Sequence, residues 1–208
     1  EGWALNHFNK LGCIVKGVDF SSYGIEKFNS GVSHAFTKSD IYEFILNEQE
    51  SVELWDIIHI GNVIEHVLDP EHLLSQLKNL LASDGIIVCT FPNDYSPLQN
   101  KLLELNKIDS AFWVSIPDHI SYFNKKSFEI MAKSLGFSSH LILADFPIDF
   151  FLMNDHSNYI KDHTKGKQAH FSRIEIVNLL NNMDANIATE IFLKLGELGF
   201  GRNLTFFI

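Results

Sequence analysis

WDIIHIGNVIEHVLDPEHLLSQLKNLLASDGIIVCTFPN, residues Trp55 to Asn93, is the stretch whose reading decides the fold. Trp55 to Ile60 is an apolar run with Asp56 near its start, the pattern of a strand covered on both faces. Gly61 and Asn62 end it. Asp69-Pro70 marks a helix start, because the fixed φ of proline suits the first helical turn. Leu73, Leu74, Leu77, Leu80 and Leu81 then share one helical face, Asp84-Gly85 closes the helix, and Ile86 to Phe91 is a second apolar strand. Glu65 and His66 stand side by side in the crossover loop between the first strand and the helix. In an open α/β sheet such loops lie at the carboxyl ends of the strands, where ligands bind.

At 208 residues the chain fits one domain, 1–208, with no second domain predicted. Hydrophobic residues make up 46% of it and 18 are Phe, which places it among globular rather than disordered chains. A net charge of -10 argues against a broad phosphate-binding face, so no nucleic-acid partner is expected. Cys13 and Cys89 lie in apolar strand-like runs, where cysteine behaves as a small buried hydrophobe. No CxxC or Cys/His metal spacing occurs, so a reducing cytoplasmic compartment is expected. No apolar run approaches the ~20 residues needed to cross a bilayer, and no membrane partner is expected.

Outside the central unit, Ala4 to Leu11 reads as helix, Cys13 to Val18 as a strand ending at Asp19, and Val32 to Phe36 as a short strand. A helix capped by Ser21 or Ser22 sends Ile25 and Phe28 to the core, and another follows Ser39-Asp40. Lys125 to Leu135 is a helix, Ser138 to Ala144 a strand, and Asn203 to Ile208 a final strand. Residues 147–200 form a largely helical insertion, with Ile187, Ile191, Leu195 and Leu198 at helical spacing. It suits a lid, padding of a sheet edge, or the interface of a homodimer.

Asp56 in WDII, the Asn62-Val-Ile-Glu-His-Val67 run, Asp69-Pro70 and Pro92-Asn93 together resemble the second half of a class I S-adenosylmethionine-dependent methyltransferase, in the branch that holds ubiquinone-type and sugar methyltransferases. His119-Ile-Ser-Tyr-Phe123 and Gly17-Val-Asp-Phe-Ser21 add to the resemblance, which covers roughly residues 1 to 146. It implies a Rossmann-like, mostly parallel α/β sheet with an antiparallel last strand. In that family the first strand ends in an acidic residue and a G-x-G-x-G turn, of which only the last glycine matches, as Gly2. The expectation is a sheet lacking its first strand, from a chain truncated before Glu1. The place left open would be filled by another segment, by another copy of the chain, or by closure of the two sheet halves.

The same resemblance implies S-adenosylmethionine as cofactor and methyl transfer to a small-molecule hydroxyl, amine or carbon, with a sugar or quinone-like acceptor foremost. Asp19, with Phe20 after it, corresponds to the ribose-binding strand end. Its residue-level alternative is a helix cap, and alone it does not separate NAD from S-adenosylmethionine. Asp40 and Ile41 correspond to the adenine contact, with an N-cap as the alternative for Asp40. Gly61 and Asn62 would lie beneath the methionine part. Glu65 and His66 are the catalytic candidates, a histidine near neutrality being suited to take the acceptor's proton and a carboxylate to orient it. Capping of the next helix is their alternative. His119 is a second base or acceptor contact, and Asn93 is grouped with it as facing the acceptor. No metal site is assigned, although Glu65, His66 and another group could hold one divalent ion, as in some relatives. His156, His163 and His170 form no recognised ligand set. Two rivals remain: a dinucleotide-dependent oxidoreductase, for which no glycine fingerprint or Tyr-x-x-x-Lys pair is present, and a truncated, non-catalytic scaffold.

Overall fold

The computed structural model describes residues 1–51 and 53–208 and divides them into two compact units, 1–54 with 76–80, and 55–75 with 81–208. In the first unit, helix α1 (Trp3–Lys10) is followed by β1 (Gly17–Asp19), α2 (Tyr23–Phe28), a 3-10 segment (Ser30–Ala35), β2 (Phe36–Lys38) and α3 (Ile41–Glu50). β1 and β2 pair in parallel as a two-stranded sheet. Ile25, Val32 and Ile45 are buried here, and Lys16 joins Glu48 and Glu53 in an ion-paired group.

In the second unit, β3 (Trp55–Gly61), β4 (Leu81–Pro92), β5 (Leu141–Ala144) and β6 (Asn203–Phe207) form a sheet of order β3-β4-β6-β5. β3 and β4 are parallel, while β6 runs antiparallel to both β4 and β5. α5 (Pro97–Glu104), α6 (Lys125–Ser134), α7 (Gly166–Met183) and α8 (Ala185–Glu197) complete it, and α4 (Pro70–Lys78) has its first turns here. Phe91, Phe128 and Phe206 are buried in mutual contact, with centroids 4.5 to 5.5 Å apart. α8 lies flush on β5 because residue 196 is glycine: a Cβ there would run into the Ile142 carbonyl. A second apolar cluster joins Leu98 and Leu102 of α5 to Ile108, Trp113 and Leu152.

The mixed α/β architecture with an antiparallel last strand is the predicted one, and several local expectations are corrected. The strand before Asp19 is only three residues long, so Cys13 is exposed and Ile14 is 86% exposed. Among the described residues β1 has a ladder to β2 alone, and three pairings give residues 13–16 nothing to extend along. Val32 is buried but within the 3-10 segment rather than a strand, and Phe28 is largely exposed. Leu81 does not close the helix; it opens β4, pairing with Trp55, after which the register slips so that Ile57 faces Ile86. Asp84-Gly85 is therefore part of a bulge, where a Cβ on Gly85 would sit 2.7 Å from the Trp55 carbonyl oxygen. β3 is not covered on both faces, Ile57 being 44% exposed. Among the described residues β3 ladders to β4 and β1 to β2.

Candidate active site

The carboxyl ends of β3 and β4 carry the candidate site in the second unit. Asn62 adopts φ 53, a left-handed conformation that asparagine tolerates, and its N–H donates to the Thr90 carbonyl at 2.8 Å. That turn lifts the chain off the sheet. Ile64 is then buried as an anchor, and Glu65 follows it inward with 1% exposure. The Glu65 carbonyl accepts from both Ile120 N–H, at 3.0 Å, and Ser121 N–H, at 3.1 Å, so the loop bearing His119 is tied to the loop bearing Glu65. Capping of α4 falls to Asp69, whose Oδ1 accepts from His72 N–H, and Glu65 and His66 are free of that duty.

Glu65, His66 and His119 thus converge. The His66 and His119 rings meet edge to face with centroids 4.9 Å apart, and His66 Nε2 lies 3.8 Å from Glu65 Oε1. His66 Nδ1 donates to the Asp118 carbonyl at 2.6 Å, which fixes the proton on that nitrogen and leaves Nε2 as the basic position. Burial pushes the Glu65 carboxyl above the usual carboxylate range, against the pull of His66 and His119. Its Oε2 and the Nδ1 of His119 are buried without a partner. One ligand atom from each of the three side chains lies within 4.8 Å of the others, so His119 is the third group that the sequence left unnamed for a divalent ion.

Asn93 has a different role from the one expected. It is fully buried, and its Nδ2 donates to the Gly199 and Gly201 carbonyls at 2.8 and 3.0 Å, fastening the end of β4 to the approach of β6. Asp94 beyond it, together with Arg202, Trp113, Asp149 and Tyr159, was not singled out by the sequence. Asp94 is buried beside Arg202, and burial pushes its carboxyl up to about 6, with Arg202 opposing and Glu65 and Asp149 reinforcing the rise. Asp149 accepts from Tyr159 Oη at 2.7 Å and from Gln99 Nε2 at 3.3 Å. The position of Asp94 straight after the Pro92-Asn93 strand end was the one available signal. His156, His163 and His170 are all exposed.

The first unit holds the other predicted residues. Asp19 stands at the carboxyl end of β1, exposed, with Oδ1 accepting from Ser21 N–H at 3.0 Å and Oδ2 unengaged among the described residues. Phe20 beside it is exposed. Asp40 caps α3 by accepting from Tyr42 and Glu43 N–H through one oxygen, which is its residue-level alternative, and Ile41 opens the helix. Gly2 precedes α1 with φ 76, and a Cβ there would meet Ile25 Cγ1 at 3.0 Å. A strand-end carboxylate with a free oxygen and a left-handed glycine at a helix start fit an adenosine-bearing cofactor. Gly61 and Asn62 belong to the second unit, at the β3 end described above.

Residues 1–141 match the family described as a methyltransferase domain. Over 89 residues the chain is 32% identical to the ubiquinone biosynthesis O-methyltransferase of Pasteurella multocida (strain Pm70), a match covering 38% of this chain and 37% of that protein. The chain therefore spans little more than a third of the length of that curated relative. Among solved structures, a SAM dependent methyltransferase from Archaeoglobus fulgidus shares its fold with a TM-score of 0.56 at 18% identity, over 99% of this chain and 80% of the other. The plantazolicin methyltransferase BamL, in complex with a triazolic desmethylPZN analog and SAH, gives 0.51 at 17% identity, over 99% and 72%. At these identities the likeness is one of fold.

Proposed function

The chain belongs to the methyltransferase domain family, and from that premise we propose that it is of the class I S-adenosylmethionine-dependent form and transfers a methyl group from S-adenosylmethionine to a small-molecule acceptor. The observation that carries the reading is the convergence of Glu65, His66 and His119 beside the carboxyl end of β3. In the first unit Asp19 would hold the ribose hydroxyls, Phe20, Asp40 and Ile41 the adenine side, and Gly2 would let the backbone approach closely. In the second unit Gly61 and Asn62 would serve the methionine part. When bound, S-adenosylmethionine supplies an electrophilic methyl group on a sulfonium sulfur.

The residues of the chain supply alignment and proton handling. His66 is exposed enough to meet an acceptor and presents Nε2, with its Nδ1–H held by the Asp118 carbonyl. That nitrogen takes the acceptor's proton. The Glu65 carboxyl stabilises the imidazolium formed, and the His119 ring restricts the acceptor's approach. His66→Ala is expected to slow methyl transfer ~100-fold or more while leaving S-adenosylhomocysteine affinity unchanged. Unchanged turnover would remove the base role from His66. Absence of S-adenosylhomocysteine binding by the parent protein in calorimetry would sink the methyltransferase reading.

The spacing of the same three side chains favours a second reading, in which they hold one divalent cation that orients the acceptor oxygen. A histidine whose other nitrogen donates to a backbone carbonyl, as His66 does to Asp118, is the usual arrangement of a metal ligand. Loss of activity in chelator, restored by added Mg2+, Mn2+ or Zn2+, would select this reading. Full activity in chelator would select the proton-transfer one.

A further inference from the structure

Asp94 lies just beyond the end of β4 and Arg202 just ahead of β6, so the antiparallel pairing of these strands brings the two side chains together. Their nearest atoms, Asp94 Oδ1 and Arg202 Nη1, are 3.7 Å apart, too far for a hydrogen bond. Both Asp94 oxygens and Arg202 Nη1 are shut off from solvent without a hydrogen-bond partner. Trp113 Nε1 is in the same condition, and Asp94 and Trp113 retain only 1% and 2% exposure. Phe112 links them: its ring lies 5.3 Å from the Arg202 guanidinium and meets Trp113 edge-on with centroids 5.3 Å apart. Tyr95, next in sequence to Asp94, contacts Trp113 at 5.2 Å. Buried polar atoms nearly always have partners. Four that lack one, in a corner linked through Phe112 and Tyr95 and within the field of Glu65, call for a polar partner.

We propose that this corner receives a second hydroxyl group of the acceptor, separate from the atom that is methylated, and so selects neutral, multiply hydroxylated acceptors. The inference rests on the methyltransferase reading for the term acceptor and on the corner's own chemistry for the hydroxyl. A hydroxyl donates to Asp94 and accepts from Arg202 or Trp113, satisfying atoms of both kinds at once. An ammonium group would satisfy Asp94 but leave the Arg202 and Trp113 donors empty and put a second cation beside the guanidinium. A carboxylate would meet Arg202 but stand against Asp94, in the field of Glu65 and Asp149. A hydroxyl, with one donor and two acceptor positions, serves one Asp94 oxygen and both donors, whereas neither charged group serves atoms of both kinds.

Calorimetric titration of the full chain, with and without saturating S-adenosylhomocysteine, tests this with resorcinol, phenol, 3-aminophenol and 3-hydroxybenzoate as probes. Resorcinol is expected to bind about tenfold or more tighter than each of the other three, the worth of one hydrogen-bonded pair to a charged group. Asp94→Leu should erase the preference. If that variant does not fold, Trp113→Phe, which keeps the ring and removes the N–H, should reduce it. Equal binding of phenol, a preference for the amine or the acid, or no binding of any probe overturns the inference. S-adenosylhomocysteine binding without a diol preference would overturn this inference and leave the methyltransferase reading standing. A diol preference without S-adenosylhomocysteine binding would do the reverse.

Discussion

Replacing Asp94 by asparagine should make the protein more stable above neutral pH, and the gain should disappear in acid. Asparagine has the shape of the protonated aspartate and carries no charge to desolvate. In the folded chain burial pushes the Asp94 carboxyl from 3.8 up to about 6, even with Arg202 nearby. The native state therefore binds more protons than the unfolded state between those values, and stability falls as pH rises through the window. At ~1.4 kcal/mol per pH unit the gap amounts to about 3 kcal/mol, and to about 2 kcal/mol once solvent screening is allowed for. Asp94→Asn avoids that cost. For a chain of this size it should melt ~4–8 °C higher at pH 8. Toward pH 3, where aspartate is mostly protonated in both states, the two melting temperatures should converge. Thermal denaturation by circular dichroism across pH 3 to 8 measures the difference. Carboxyl groups outside the field of Asp94 titrate alike in both proteins and cancel, while Glu65 and Asp149, relieved of its charge, add to the gain at high pH. Equal stability at pH 8, or an advantage that grows toward acid, would refute the reasoning.

The aromatic core gives a second expectation: Phe128→Ala, which removes a fully buried ring touching Phe91 and Phe206, should cost ~3–5 kcal/mol in urea unfolding. Gly196→Ala should lower stability by ~1–3 kcal/mol, because a methyl group can be placed only by moving α8 off the Ile142 carbonyl. Asp40→Ala removes the acceptor for Tyr42 and Glu43 N–H and should cost ~1 kcal/mol. If Asp40 also serves the adenine side, S-adenosylhomocysteine should bind more weakly to that variant even where it is fully folded.

The sequence was most legible where local chemistry and burial agree. Pro70 opens α4, and Leu73, Leu74 and Leu77 are buried as their spacing required. Gly85 was read as a helix terminator, yet it is needed because a bulge brings the Trp55 carbonyl against it. That contact spans two strands and leaves no local trace. Cys13 and Ile14 look like core strand residues by composition, but a strand persists only where a neighbour ladders to it, and β1 has one short neighbour. The candidate site divides in the same way. Glu65 and His66 were legible because strand-end loops are where an open sheet gathers polar residues, and His119 through the resemblance to the family. Their approach depends on the Ile120 and Ser121 hydrogen bonds to Glu65, which the sequence does not display. Asp94 and Arg202 meet only through the pairing of β4 with β6, so neither position looks special alone.

Residue 65 holds the His119 loop with its main chain and faces the rings with its side chain. Every amino acid carries the same carbonyl, so the hydrogen bonds that tie the loop do not draw on the carboxylate. Architecture and reactivity are thereby uncoupled at one position. A lineage built on this frame is free to exchange a carboxylate for an amide or an alkyl group, moving from proton transfer or cation binding to alignment alone, without redesigning the loops that form the mouth of the site.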